Sequence, residues 1–266
     1  MNTPKTRPLW TAAHAIVALT LLLAPAPTAR SAVEWTASFE DPDGPVLPHA
    51  NSLLTNLFSA AADWASHFIG SDAILDLLIK TSSSIPTATG RSVTSSFLYH
   101  NAGIAVWEQG AAAEIRRGHD PNGVTADIEL TFGLGFLNAD IWWDPDPYTR
   151  STPVPHNRVD GYSVLLHEIG HALGFNGWRD PVTGQLGSFG SNFDELTVMQ
   201  GSNFFFNGPV AVEVYGGPVP LTHANIFHLG NRPGRPGNDL VSDLMNGVTF
   251  FRGRRYEISQ IGRAHV

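Results

Sequence analysis

Cysteine is absent from the 266 residues of the chain. This absence excludes disulfide bonds, thiolate metal ligands and a cysteine nucleophile, so that any bound metal must be held by histidine, aspartate or glutamate. Without covalent cross-links the fold must depend on its hydrophobic core. Hydrophobic residues make up 42% of the chain, which is enough for one large domain or two smaller lobes.

Basic residues are scarce, since 16 lysines and arginines face 24 aspartates and glutamates and give a formal net charge of −8. Residues 1–31 contain three basic residues and no acidic one, so their removal would lower the charge to −11. A surface this acidic repels phosphate groups and anionic lipid. Nucleic acid is therefore excluded as a partner.

Long hydrophobic runs are confined to the N-terminus. Lys5 and Arg7 precede the apolar segment 9–24, which ends at Pro25 and is followed by small residues. This order is typical of a cleaved signal peptide, which we assign to residues 1–31. The alternative is an uncleaved anchor, but the run of about 16 residues is shorter than the ~20 that a spanning helix needs. We expect a secreted or extracytoplasmic protein without stable membrane insertion.

Internal repeats are also absent, and the 26 glycines and 19 prolines follow no fixed period. Apolar residues recur at helical spacing in some segments and alternate in others, so we predict an α+β fold with a mixed sheet. The predicted elements are a helix at 49–70, a strand at 73–80, a loop at 81–92, a helix at 107–117 closed by Gly118, and strands at 126–132 and 138–143.

The most informative helix is predicted from Asp160, a favourable N-cap, to Leu173, with Gly174 as its stop. It contains His167 and His171, which lie on one face because residues four apart are neighbours on a helix. Two imidazoles one turn apart can chelate a zinc ion, and the glutamate between them can act on a water molecule as general base. We therefore predict a zinc site.

The other face of this helix carries Leu165, Ile169 and Ala172, which we expect to pack against the sheet. Gly170 costs the helix about 1 kcal/mol relative to alanine. A close packing contact at this position would explain the glycine.

A catalytic zinc ion typically takes three protein ligands. Residues 167–175 read His-Glu-Ile-Gly-His-Ala-Leu-Gly-Phe, and residues 242–247 read Ser-Asp-Leu-Met-Asn-Gly. Together these motifs resemble the metzincin superfamily of metallopeptidases, and in particular the leishmanolysin-like type with its secreted bacterial relatives. The resemblance implies a two-lobed domain with an N-terminal lobe at 32–174, which contains the active-site helix, and an irregular C-terminal lobe at 175–266. It also implies that Met245 forms a Met-turn beneath the metal.

The chain departs from the metzincin pattern at Gly177, where a third histidine is expected. Leishmanolysin-type members carry an insertion before that histidine, which then precedes the Met-turn. The resemblance therefore implies His228 as the third ligand, with His223 as the alternative. An acidic ligand also stays open, because Glu195 would complete a thermolysin-like site.

The resemblance implies a secreted zinc endopeptidase that hydrolyses protein or peptide substrates through a zinc-bound water activated by Glu168. It also implies that the strand at 126–132 lines the substrate cleft with an exposed backbone edge. The alternative, non-enzymatic function is that of an extracellular binding module with a structural zinc. Neither the cleavage preference nor an oligomeric state follows from the sequence.

Two further segments carry separate expectations. The acidic clusters at 41–44 and 144–146 contain oxygen ligands suited to calcium but lack the spacing of a calcium loop, so we interpret them as turns. Residues 261–266 match the translation of a common sequencing-adapter DNA. We interpret them as extraneous and expect the natural end of the chain to be missing.

Overall fold

The structure is a computed structural model that describes residues 33–264; the predicted signal peptide at 1–31 and the last two residues lie outside this range. The strands of the described part are β1 Val33–Phe39, β2 Ala73–Ser82, β3 Ala88–Ser92, β4 Ser95–Asn101, β5 Ile104–Gln109, β6 Ile128–Gly133, β7 Ile141–Trp142, β8 Val159–Asp160, β9 Phe189–Ser191, β10 Thr197–Gln200, β11 Asn203–Phe206 and β12 Val219–Pro220. The α-helices are α1 Ala50–Ala65, α2 Gly110–Arg117, α3 Leu134–Ala139, α4 Gly161–Leu173, α5 Asn192–Glu195, α6 Pro209–Tyr215 and α7 Gln260–Arg263. The predicted α+β class is confirmed.

The main sheet has the strand order β1-β2-β6-β3. Its first three strands are parallel, whereas β3 runs antiparallel to β6 at one edge. Parallel neighbours require a crossover connection, and α1 provides it between β1 and β2. Alternate residues of the central strands are buried, as the pleat requires. These core residues are Leu75, Leu77, Ile79, Ile128, Leu130 and Phe132.

Helix α4 lies between strand β3 and helix α1, and every one of its residues is buried. The carboxylate of Asp160 caps its first turn by accepting a hydrogen bond from the backbone amide of Ser163 at 3.3 Å. From α1, the indole of Trp64 donates a hydrogen bond to the carbonyl of Leu166 at 3.0 Å. Because α4 is held on both sides, its polar face is fixed in position.

The chain beyond α4 is less regular; it forms the small sheet β10-β11-β12 and adds β9 to the β4-β5 hairpin that precedes α4. Leu229 forms isolated bridges with Leu221 and Asn246 and so links the segment after β12 to residues near 245. Near the C-terminal end, the guanidinium of Arg255 pairs with two buried carboxylates, at 2.5 Å from Asp144 and 3.1 Å from Asp160. The final segment is thereby tied to the start of α4.

The structure corrects several sequence predictions. The predicted loop at 81–92 contains strand β3, because its Ala-Thr-Gly-Arg-Ser segment pairs with β6 although it has no apolar alternation. The predicted strand at 138–143 is helix α3 followed by the two-residue strand β7. The predicted helix at 107–117 begins three residues later, but Gly118 closes it in the left-handed conformation as expected.

The strand predicted at 126–132 corresponds to β6, which lies between β2 and β3 and has no free edge. The expectation that this strand exposes its backbone to the cleft is therefore wrong, and β3 occupies the sheet edge. Within residues 33–264, no helix combines the length and apolar character required to cross a membrane.

Candidate metal centre

Three histidines meet on the side of α4 that faces a cavity. His167 and His171 come from successive turns of the helix, and His228 comes from the segment that follows β12. Their Nε2 atoms form a nearly equilateral triangle. The separations are 3.1 Å between His167 and His171, 3.0 Å between His171 and His228, and 3.2 Å between His167 and His228.

Backbone carbonyls fix two of these rings. The Nδ1 of His167 lies 2.7 Å from the carbonyl oxygen of Leu244, and the Nδ1 of His171 lies 2.7 Å from that of Phe175. A carbonyl only accepts, so both Nδ1 atoms must carry the proton and both Nε2 atoms must present lone pairs. Such second contacts set the tautomer and the orientation of metal-binding imidazoles.

The third ring is less constrained. The Nδ1 of His228 is buried without a hydrogen-bond partner in the described part of the chain; burial lowers the pKa of the ring, and the nearby backbone of Asn225 offsets only a small part of that shift. One neutral imidazole carries one proton, so at most one proton lies inside the triangle of Nε2 atoms. At least two lone pairs therefore face each other there without a donor of their own.

Burial keeps the three rings neutral. It lowers the pKa of His167 to about 3, with a further contribution from His171, and lowers the pKa of His171 to about 4. Burial also lowers the pKa of His228 well below its ordinary value, and the other two histidines add to the effect. Near neutral pH all three are therefore uncharged imidazoles, the form that binds metal ions.

The dimensions of the triangle fit a zinc ion. In a tetrahedral site, nitrogens about 2.0–2.1 Å from the ion are about 3.3–3.4 Å apart. The observed separations of 3.0, 3.1 and 3.2 Å are within a few tenths of an ångström of that spacing. A cation would also neutralise the facing lone pairs, so the residues present fit the metal.

The fully buried side chain of Met245 packs against α4 at Gly170, one residue before His171. A Cβ atom at Gly170 would come within 2.8 Å of the Met245 sulfur and 3.3 Å of the Trp64 ring. The close packing contact that would explain this glycine is therefore present. The turn is held by the Asp243 carboxylate, which accepts a hydrogen bond from the amide of Met245 at 2.8 Å.

Glu168 lies between the two α4 histidines in sequence but outside the set of mutually close ligand atoms. It lines the same cavity and is almost fully buried. Burial raises its pKa to about 8, and a backbone contact from Gly90 opposes the shift. A cation nearby would favour its carboxylate form, because opposite charge stabilises the ionised state.

Strand β3 packs directly on α4 at Gly90. A Cβ atom at that position would lie 2.0 Å from the carbonyl oxygen of Glu168 and 2.7 Å from its Cβ. Only glycine permits this approach without displacement of the strand. The sequence gives no local sign of this contact, since it depends on the pairing of β3 with β6.

The histidines and Glu168 open into a cavity of about 710 Å³. One wall is the edge strand β3 with the residues before it, from Pro86 to Gly90, and another is the segment from Asn246 to Phe250. Apolar side chains of Phe136, Val159 and Val164 line its interior. The cavity is thus lined by the edge strand of the main sheet in the described part of the chain.

The structure places the competing ligands elsewhere. His223 is exposed and lies outside the histidine group. The carboxylate of Glu195 accepts hydrogen bonds from the Tyr99 hydroxyl and the Asn101 amide, both at 2.5 Å, rather than facing the histidines. At Gly177 a Cβ atom would lie 2.4 Å from the Asp194 carboxylate, so a histidine side chain has no room there.

Comparisons with protein-family models, curated proteins and solved structures found no match for this chain. The assignment of the site therefore depends on its own geometry.

Proposed function

We propose that the chain is a zinc-dependent endopeptidase with His167, His171 and His228 as metal ligands and Glu168 as general base. The observation that carries this proposal is the convergence of three neutral imidazole nitrogens at 3.0 to 3.2 Å from one another. Imidazole suits zinc better than it suits the oxygen-seeking ions magnesium and calcium.

An open cleft above the ligands favours catalysis over a structural role. Structural zinc sites are normally closed by four protein ligands, whereas catalytic sites keep a position free. Only three ligand residues converge in this part of the described chain. Bound zinc would supply Lewis-acid polarisation of a carbonyl oxygen and would lower the pKa of water.

The role that we propose for Glu168 is proton transfer. Its carboxylate lies in the cleft next to the ligands without being one of them, which leaves it free to take a proton from water and deliver it to a departing amine. The contact with Gly90 fixes the position of its backbone.

A peptide substrate is favoured by the strand that borders the cleft. The outer edge of β3 is unpaired by any strand within residues 33–264, and Pro86 to Gly90 face the cavity. An extended peptide can add to such an edge through main-chain hydrogen bonds. Its scissile bond would then run past the histidines.

We further propose that the fold is that of a leishmanolysin-like metzincin, with lobes divided near Gly174. Support comes from the glycine at the end of α4, from the displaced third histidine, and from Met245 packed against α4 at Gly170. The export of the chain stays a prediction from its first 31 residues.

Hydrolysis of unfolded casein tests the proposed function. Glu168→Gln keeps the shape of the side chain but removes the base, and we expect kcat/KM to fall by about 10²- to 10⁴-fold with zinc retained. Glu213→Gln is the matched control, because Glu213 is exposed on α6 and lies away from the cleft. Equal hydrolysis by wild type and Glu168→Gln would remove Glu168 from the mechanism.

Zinc content tests the ligand set independently of activity. We expect about one zinc per chain in the wild type and in His223→Ala, and its loss in His228→Ala. Retention of zinc by His228→Ala would contradict the proposed triad. Stable zinc binding together with no hydrolysis of any peptide would favour the non-catalytic module.

A further inference from the structure

A second group of side chains with metal-ligand chemistry lies outside the cleft. Glu114 on α2, Asp120 in the loop after it, and Asp127 immediately before β6 each place one carboxylate oxygen within 4.8 Å of the others. None of these three acids takes part in the ion pairs found among residues 33–264. The group therefore concentrates negative charge without a basic partner.

Two of the three carboxylates are buried, since Glu114 is 3% exposed and Asp127 is 2% exposed. Each uses one oxygen to hold the backbone of β2. Glu114 Oε1 accepts a hydrogen bond from the amide of Ile74 at 3.2 Å, and Asp127 Oδ2 accepts one from the amide of Asp76 at 2.8 Å. These bonds fix the direction of both carboxylates.

The remaining oxygens of this pair have no donor. Glu114 Oε2 and Asp127 Oδ1 are buried, and no N–H or O–H group of the described part of the chain donates to them; the two carboxyl groups can hydrogen-bond to each other only when one of them is protonated. A buried carboxylate oxygen without a donor is costly unless a proton or a cation neutralises it. Burial and the neighbouring Asp127 raise the pKa of Glu114 to about 7, which expresses that cost.

Asp120 adds a third carboxylate on the solvent side. Its Oδ1 accepts hydrogen bonds from the amides of Asn122 and Gly123, both at 2.7 Å, so that the loop holds the side chain in place. A proton shared between Glu114 and Asp127 would neutralise these two carboxylates but would leave Asp120 without a role in the group. A cation would use all three, and the accessible side of Asp120 leaves room for the water ligands that hard cations retain.

We propose that Glu114, Asp120 and Asp127 bind a calcium ion. The ligand atoms are all oxygen, which excludes preference for zinc and suits a hard cation. Calcium–oxygen distances of about 2.3–2.6 Å let ligands of one ion lie up to about 5 Å apart, and the observed limit of 4.8 Å satisfies this condition. The site is separate from the histidine centre and does not depend on the proposed peptidase activity.

The ion would add a further link between elements that already meet through core packing and hydrogen bonds. Asp127 accepts a hydrogen bond at its backbone carbonyl from the amide of Val93, just beyond β3, at 2.8 Å. Calcium would therefore connect α2 and the 118–127 loop to the start of β6 and to the end of the edge strand. Its removal would loosen this corner of the main sheet.

Isothermal titration tests the proposal on the full chain, first treated with chelator and then reloaded with one equivalent of zinc. We expect one saturable calcium site in the wild type, weaker binding of magnesium, and a higher Tm in calcium. Asp120→Asn keeps an oxygen for the loop amides but loses the charge, and it should weaken calcium binding by at least about 10-fold.

Glu114→Gln is the second variant and should have the same effect, since glutamine still accepts from Ile74. Asp43→Asn is the matched control in an exposed acidic turn and should bind calcium like the wild type. Circular dichroism of each variant establishes that it is folded. No saturable calcium binding by the folded wild type, unchanged affinity in both site variants, or equal affinity for magnesium would overturn the assignment.

Discussion

Replacement of Gly90 by alanine is the sharpest perturbation of the cleft that leaves every proposed ligand in place. The new Cβ atom would lie 2.0 Å from the carbonyl oxygen of Glu168. Ordinary carbon–oxygen contacts begin at about 3.3 Å, so strand and helix must separate by roughly 1 Å. The obstacle is backbone, which no rotamer change can remove.

Two effects follow from this displacement. Overpacking of a tight contact costs about 1–3 kcal/mol, so we expect Gly90→Ala to lower the free energy of unfolding by that amount. If the cleft acts as proposed, a shift of about 1 Å between β3 and Glu168 should reduce kcat/KM by about 100-fold. The loss should exceed what reduced stability explains, because folded protein is assayed.

Urea denaturation measures the first effect and casein hydrolysis under matched zinc loading measures the second. Gly187→Ala is the control, since a Cβ atom there meets nothing within 4 Å and its backbone φ is not positive. A Gly90→Ala protein as stable as the control would show that β3 does not approach α4 this closely. Unchanged hydrolysis by a destabilised Gly90→Ala variant would show that the position of β3 relative to Glu168 does not affect catalysis.

Two further substitutions test the packing around α4. Gly170→Ala gains up to about 1 kcal/mol of helix propensity but forces its Cβ against Met245, so we expect the free energy of unfolding to fall by about 1 kcal/mol. Gly135→Ala is the control in helix α3 and should be stabilised, because its new Cβ meets nothing within 4 Å. Urea denaturation of both variants measures the difference, and a stabilised Gly170→Ala would contradict the contact with Met245. Arg255→Ala leaves two buried carboxylates without their cation and should lower the free energy of unfolding by about 3–5 kcal/mol. Arg252→Ala breaks a more exposed ion pair and should lower it by at most about 1 kcal/mol. Equal losses in the same assay would refute this reasoning.

Local patterns predicted the site helix well. The helix begins after Asp160 and ends at Gly174 as expected, because N-capping and termination at glycine depend on residues within a single turn. The i, i+4 spacing of His167 and His171 carried the same local information. His228 could not be derived from spacing, since its approach depends on bridges between segments distant in sequence.

The errors have a common physical origin. Residues 88–92 have the composition of a loop, and they form β3 only because β6 offers hydrogen-bond partners and α4 offers a surface that small residues can approach. The segment 138–143 alternates like a strand, yet its first part completes helix α3. Tertiary context decides such short segments, and periodicity cannot report it.

The acidic group at Glu114, Asp120 and Asp127 shows the same limit. Its members are separated along the chain by six and seven residues with no recognisable calcium loop, so the sequence directed attention to the clusters at 41–44 and 144–146 instead. In the folded chain Asp144 is engaged by Arg255, and the group outside the expected spacing is the one that retains buried oxygens without donors.

The ion pairs of Arg255 also bear on the order in which the molecule is made. During synthesis the residues of α4 are translated before Arg255, which pairs with the capping carboxylate of Asp160 in the folded chain. His228 is translated 57 residues after His171. The nascent chain must therefore extend past residue 255 before both His228 and Arg255 are available to α4. The proposed ligand set is complete once residue 228 has been translated, whereas the capping carboxylate of α4 gains its arginine only after residue 255. Zinc bound as proposed would therefore join α4 to the segment after β12 before the C-terminal segment is available to hold the start of the helix.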